Sequence, residues 1–318
     1  MLDCVRWKER ASVSWPASQK GALPVRRLNN VSIFAGCVLI WCTTWLAITY
    51  QLGTVAPEVS VSHRFLLAAL VIAAWCRWRG LSMRFKPGEH AALALMGMAI
   101  YGFSYVFVYH AELHLSSGLV AIGYSASPLL SALGARLFFA QPVTGRMAIG
   151  SAFGLLGITL VYGPEFAHLR GDVGIGAAFT LLAVLISTAG GLLAQRNHQL
   201  NLHGWPTMAW SMGYGSLTSL TVALALGRTY TIELSAAYLL SLIYLSVLGS
   251  VAAFAGWLTL VGRIGAPRAS YVGVMAPVIA LFVSTLFEGF LWHPLTAAGV
   301  AVSIAGNVLV LGGGRTSA

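Results

Sequence analysis

The chain has 318 residues, 58% of them hydrophobic and only 9% charged, with a mean hydropathy of +0.78. That leaves too little polar surface to coat a water-soluble globule, so lipid is the expected solvent. The net charge of +10 could suit nucleic acid, but its spread along the chain reads instead as membrane orientation, and no nucleic-acid partner is expected.

Residues 1–30 are polar and basic and lack an apolar core ahead of a cleavage site, so a cytoplasmic tail is expected rather than a cleaved signal peptide. Ten apolar runs near the spanning length follow, at about 31–52, 58–77, 90–111, 116–139, 144–163, 174–195, 205–227, 238–262, 266–287 and 294–312. Helices are expected, because their backbone bonds close within the segment and the runs lack the alternation of a membrane barrel. The breaks carry turn chemistry, among them Gly53 with Pro57, Lys86-Pro87-Gly88, Gln141-Pro142, Gly204 to Pro206 and Gly265 to Pro267. Connections this short leave no room for a soluble domain.

A cytoplasmic N-terminus puts 16 of the 19 basic residues on the inner side and leaves Arg64, Arg170 and Arg228 outside. This asymmetry predicts a multi-pass protein of the cytoplasmic (inner) membrane with both termini cytoplasmic. Cys4, Cys37, Cys42 and Cys76 fit neither a disulfide framework nor a zinc motif, and no metal or cofactor is expected.

Residues 127–161, SPLLSALGARLFFAQPVTGRMAIGSAFGLLGITLV, recur in outline 149 positions later as APVIALFVSTLFEGFLWHPLTAAGVAVSIAGNVLV. The same offset pairs Pro57 with Pro206, Pro128 with Pro277, Gly150 with Gly299 and Gly157 with Gly306. Five helices per copy is an odd number, so the second copy enters the membrane from the opposite face. The expected organisation is a first five-helix module at 31–163, an outer linker at 164–173, a second module at 174–312 and a cytoplasmic tail at 313–318. Inverted halves can exchange shapes around one central site, which favours a transporter working by alternating access over a passive channel or facilitator.

Four stretches resemble the EamA modules of the drug/metabolite transporter superfamily: WCTTWLAITYQLGTVAPEVSVSHRFLLAAL at 41–70, YHAELHLSSGLVA at 109–121, the 127–161 segment, and GAPRASYVGVMAPVIALFVSTLFEGF at 265–290. The resemblance implies an all-α integral membrane protein with ten transmembrane helices in two inverted five-helix EamA repeats. It also implies a carrier, often an exporter of amino acids or other metabolites. The chain departs from the family pattern after the fourth helix, where Ala140-Gln141 replaces Gly-Glu, and at Phe290, which follows Glu288-Gly289 in the usual acidic place.

The candidate substrate residues are aromatic. Trp41 and Trp45 share a face of the first helix with Thr44 close by, as a site wall or an interfacial belt. On the third helix Tyr101, Tyr105 and Glu112 fall within about 40° of one another, with Tyr109 beside them. Glu112 is a coupling or amine-binding candidate, or else a solvated group at the outer helix end. Arg64 lies about two turns into its helix and needs an anionic partner, for which Glu58, Glu112 or a substrate carboxylate are the choices. The second half contributes Trp210, Tyr214, Phe254, Trp257 and Tyr271, while Gly213 stands at the repeat position of Arg64.

Pro128 and Pro277 are hinge candidates, since proline frees a carbonyl and permits a kink. Gly150, Gly154 and Gly157, matched by Gly299, Ser303 and Gly306, form small-residue faces for close helix contact, within the fold or in a homodimer. Aromatic walls with few fixed charges suit amphipathic small molecules, including amino acids, better than polyanions. No phosphate-binding loop and no intramembrane catalytic constellation is present, so a secondary transporter is expected and an enzyme is not.

Overall fold

The computed structural model describes residues 28–167 and 172–311. The expected N-terminal tail up to residue 27, Arg170 in the linker and the C-terminal tail lie outside the described residues. The helical runs are α1 (Asn30–Thr49), α2 (Pro57–Trp78), α3 (Pro87–Glu112), α4 (Ser117–Phe139), α5 (Gly145–Ala167), α6 (Asp172–Gln199), α7 (Trp205–Ala225), α8 (Ala236–Ile264), α9 (Ala266–Phe287) and α10 (Pro294–Leu311). Among the described residues there is no strand, and seven helices (α1, α2, α3, α4, α6, α8 and α9) are long and apolar enough to cross a membrane. Shorter apolar stretches lie in α5 and α10.

Local chemistry sets the boundaries. Asn29 caps α1 by accepting the Ser32 N–H at 2.7 Å, and Ser235 caps α8 by accepting that of Tyr238 at 3.3 Å. Pro57, Pro87 and Pro206 sit in first turns, where a missing N–H costs nothing. Between α8 and α9, Gly265 adopts φ +83°, a conformation an L side chain would strain, and the chain reverses there.

Three runs are irregular inside. α3 is π-helical over Met98–Phe103, α8 is π-helical over Leu245–Ala252, and α4 tightens to a 3₁₀ turn at Tyr124–Ala126 just before Pro128. Such departures redirect carbonyls and side chains that a regular helix would keep to itself.

Close packing depends on small residues. A Cβ on Gly97 would fall 2.1 Å from the Ser211 carbonyl oxygen, so α3 and α7 meet backbone to backbone. The small-residue faces of α5 and α10 are used on each other within one chain: a Cβ on Gly157 would lie 2.6 Å from the Gly299 oxygen, and one on Gly306 2.7 Å from the Gly150 oxygen. Helix pairs in lipid gain from such approach because the bilayer offers no hydrophobic drive of its own.

The α4–α9 pair positions the site. Ser117 and Ser284 hydroxyls meet at 3.1 Å and those of Ser131 and Ser270 at 2.8 Å, so the helices run antiparallel and are bonded at both ends of their seam. Glu288 strengthens the first end, accepting the Ser117 hydroxyl at 2.5 Å and backbone N–H at 3.3 Å as well as the Ser284 hydroxyl.

Candidate substrate cavity

Between these two serine pairs lies a cavity of about 90 Å³, bounded by α1, α3, α4, α6, α8 and α9. Trp41, Thr44 and Trp45 face it from α1, Tyr105 from α3 and Tyr124 from α4, with Phe254 and Trp257 opposite on α8. The aromatics brace one another: Trp41 meets Phe254 edge-on at 5.1 Å and Trp257 at 6.4 Å, and Trp45 lies 5.2 Å from Tyr124. Hydroxyls supply the polar lining, namely Ser127 and Ser131 on α4, Ser187 and Thr188 on α6, and Ser270 on α9.

The π-helical stretch of α8 holds two of the candidate residues in place. Its Gly249 carbonyl accepts the Trp41 indole N–H at 3.1 Å, its Ser250 hydroxyl accepts Arg64 Nε at 3.0 Å, and its Ser246 hydroxyl donates to the Arg64 carbonyl at 3.0 Å. Nothing in the string LSVLGSVA signals this, since its composition is that of any apolar helix.

Arg64 departs from expectation. Neither Glu58 nor Glu112 lies within ion-pair distance of it, and Glu58 is bonded to His110 Nε2 at 2.7 Å. Instead the guanidinium, fully buried, lies 4.5 Å from the Tyr105 ring centroid and 5.2 Å from that of Phe65, and its two terminal nitrogens have no hydrogen-bond partner. It stands behind Tyr105 and Thr44 and does not line the cavity. Glu112 is not solvated either. It is 7% exposed with both carboxyl oxygens unpartnered.

The other expected site residues divide. Trp41, Thr44, Trp45, Tyr105, Trp257 and Pro277 reach the cavity. Tyr101 lies behind it, fully buried between Phe65 at 5.2 Å and Phe254 at 4.9 Å. Trp210 and Tyr214 belong to a separate cluster: the Trp210 indole donates to the Met83 carbonyl at 2.9 Å, and the Tyr214 hydroxyl bonds His90 Nδ1 at 2.9 Å. Tyr271 is buried beside Ser270 without facing the cavity, and Pro128 is buried within α4. His63 is held by the Tyr238 hydroxyl at 3.2 Å and the Tyr230 ring.

Sequence reasoning passed over Ser131, Ser187, Thr188 and Ser270. Their one signal was small polar residues inside apolar runs, which also serve ordinary helix contacts.

The sequence profile of the EamA-like transporter family matches residues 30–163 and again 174–312. The chain belongs to the EamA-like transporter family. An uncharacterized transporter of Archaeoglobus fulgidus is 23% identical over 285 residues, 88% of this chain and 95% of that one. The protein PecM of Dickeya dadantii is 25% identical over 266 residues, covering 82% and 84%. A Streptantibioticus cattleyicolor protein named "Probable terminal-alkyne amino-acid exporter" is 24% identical over 274 residues, covering 86% and 90%. One solved crystal structure shares the fold with a TM-score of 0.70 at 16% identity, covering 88% of this chain and 95% of that chain. An EamA-like chain with these helices is a multi-pass membrane transporter.

Proposed function

We propose that this EamA-like protein is a secondary transporter that exports small amphipathic metabolites, amino acids among the candidates, across the cytoplasmic membrane by alternating access. In this reading all of α1–α10 span the bilayer, as two inverted five-helix modules at 31–163 and 174–312, with both termini cytoplasmic. The observation that carries it is the lining of the cavity: Tyr105 and Phe254, Tyr124 and Gly273, and Ser127 and Ala276 are three pairs each 149 positions apart, and every member faces the same space. A central site built from equivalent positions of two related halves is what shape exchange between those halves requires.

The serine pairs are the gates in this reading. Ser117–Ser284, with Glu288, closes one end of the α4–α9 seam, and Ser131–Ser270 closes the other. Charge asymmetry in the sequence assigns the first to the outer face. In this reading transport opens one pair at a time. The hinges are Pro128 and Pro277. Arg64 acts as a positioning residue that backs the Tyr105 wall, and the buried, unpartnered Glu112 is the candidate for proton coupling.

The test is counterflow in liposomes loaded with candidate metabolites. A carrier gives saturable uptake accelerated by solute on the far side; flux that stays linear with concentration and indifferent to the far side would make the protein a pore.

A further inference from the structure

We propose that the cavity selects uncharged aromatic solutes bearing a hydrogen-bonding group, such as an amide, over carboxylates or ammonium ions of the same size. The inference rests on reading the cavity as the transport site and narrows its substrate class. Six aromatic rings, those of Trp41, Trp45, Tyr105, Tyr124, Phe254 and Trp257, form its walls, which suits a planar apolar body.

The polar groups offered to a solute are neutral. Among the described residues that line the cavity none is charged, and the polar ones are hydroxyls and indoles. Three of these have a buried polar atom with no partner: Trp45 Nε1, Ser127 Oγ and Thr188 Oγ1. Buried polar groups are nearly always bonded, so orphans collected on one cavity mark places where a ligand or solvent completes the bonding. An indole N–H can only donate, and hydroxyls donate or accept, so together they match a carbonyl and an N–H on the same solute.

A full charge fares worse in this space. It would lose its hydration and meet only dipoles, and a buried charge without a counter-charge is far more costly than a neutral polar group that is bonded. The two buried ionisable groups nearby do not remedy this. Arg64 stays behind Tyr105, where its field opposes a cation, and neither its guanidinium nor the Glu112 carboxylate reaches the lining. This argues against both ions as the preferred cargo, and more strongly against amines, because the field of Arg64 repels a cation and partly offsets the cost of an anion.

The experiment uses three probes of one shape, benzamide, benzoate and benzylammonium, titrated calorimetrically into the purified full-length protein at neutral pH. Benzamide should bind, and both ions should bind about tenfold more weakly or worse. Trp45→Phe keeps the ring and removes the N–H; it should weaken benzamide about fivefold while leaving the melting temperature unchanged. Either ion binding as tightly as benzamide, no binding of benzamide, or unaltered affinity in Trp45→Phe overturns the proposal. Benzamide binding without counterflow of any solute would instead sink the transport reading alone, and counterflow with benzoate preferred would sink only the substrate class.

Discussion

A Cβ built on Gly273 would lie 3.5 Å from the carbonyl oxygen of Tyr124, so α4 and α9 touch nearly backbone to backbone at the wall of the cavity. Each of these residues lies four positions before a proline, Pro128 and Pro277, and proline has no N–H with which to bond the carbonyl four residues back. At Tyr124 the 3₁₀ turn supplies the missing donor, the Ser127 N–H bonding its carbonyl, so the contact falls where both helices depart from the regular ladder. Room exists for a methyl, and the cavity lies beyond it. Gly273→Ala should fold and carry solute at nearly the wild-type rate, whereas Gly273→Trp should fill the cavity and reduce flux about tenfold or more at equal membrane yield. Wild-type flux in Gly273→Trp would place the pathway elsewhere.

Arg64 is a buried cation held by one serine and two rings, with no carboxylate within ion-pair distance. Replacing such a charge by an apolar residue of similar length often stabilises a protein, by about 1–4 kcal/mol. Arg64→Met should therefore melt no lower than wild type, yet lose transport because Tyr105 is no longer backed. Arg64→Lys should not rescue it, since an ammonium reproduces neither the Ser250 bond nor the flat contact with the ring. A large fall in melting temperature with transport intact would make Arg64 purely structural.

The α5–α10 contact makes a stability prediction. A methyl at position 157 would sit 2.0 Å from Ser303 Oγ, which can rotate away, but also 2.6 Å from the Gly299 carbonyl oxygen, which cannot. Gly157→Ala should cost about 1–3 kcal/mol through overpacking, seen as a lower midpoint in thermal unfolding followed by circular dichroism. An unchanged midpoint would mean the helices do not approach this closely.

Glu288 gathers the Ser117 N–H and the hydroxyls of Ser117 and Ser284 at one end of the seam. Bonds to a charged acceptor are worth about 1.5–3 kcal/mol each, so Glu288→Ala should populate an opened end. A cysteine at position 284 should then react with a water-soluble maleimide about tenfold faster than in the parent. Equal rates would remove Glu288 from the closure.

Much of this was legible in the sequence, for physical reasons. Apolar runs bounded by Pro57, Pro87, Pro206 and Gly265 announced the helices, because lipid forces backbone bonds to close within a segment. Trp41, Thr44, Trp45 and Tyr105 stand out through helical spacing and Trp257 as a second-half aromatic, and all five line the cavity. Trp210 and Tyr214 share that spacing and yet bond Met83 and His90, since periodicity gives a face and not the neighbour it meets. Arg64 was expected to find a carboxylate, but Glu58 is taken by His110, a residue 52 positions further on. The π-helical stretch of α8 and the seam between α4 and α9 make contacts 139 to 208 residues apart, which no local pattern encodes.

The most direct test of alternating access needs no substrate. On a cysteine-free background, Ser127→Cys places a thiol in the cavity, and a second pair of cysteines replaces either Ser117 and Ser284 or Ser131 and Ser270 for oxidative cross-linking. The account predicts that with the 117–284 pair cross-linked, a membrane-impermeant maleimide reaches residue 127 only from the cytoplasmic face. With the 131–270 pair cross-linked it should do so only from the opposite face. Labelling from both faces in either cross-linked form would contradict the account and describe an open pore.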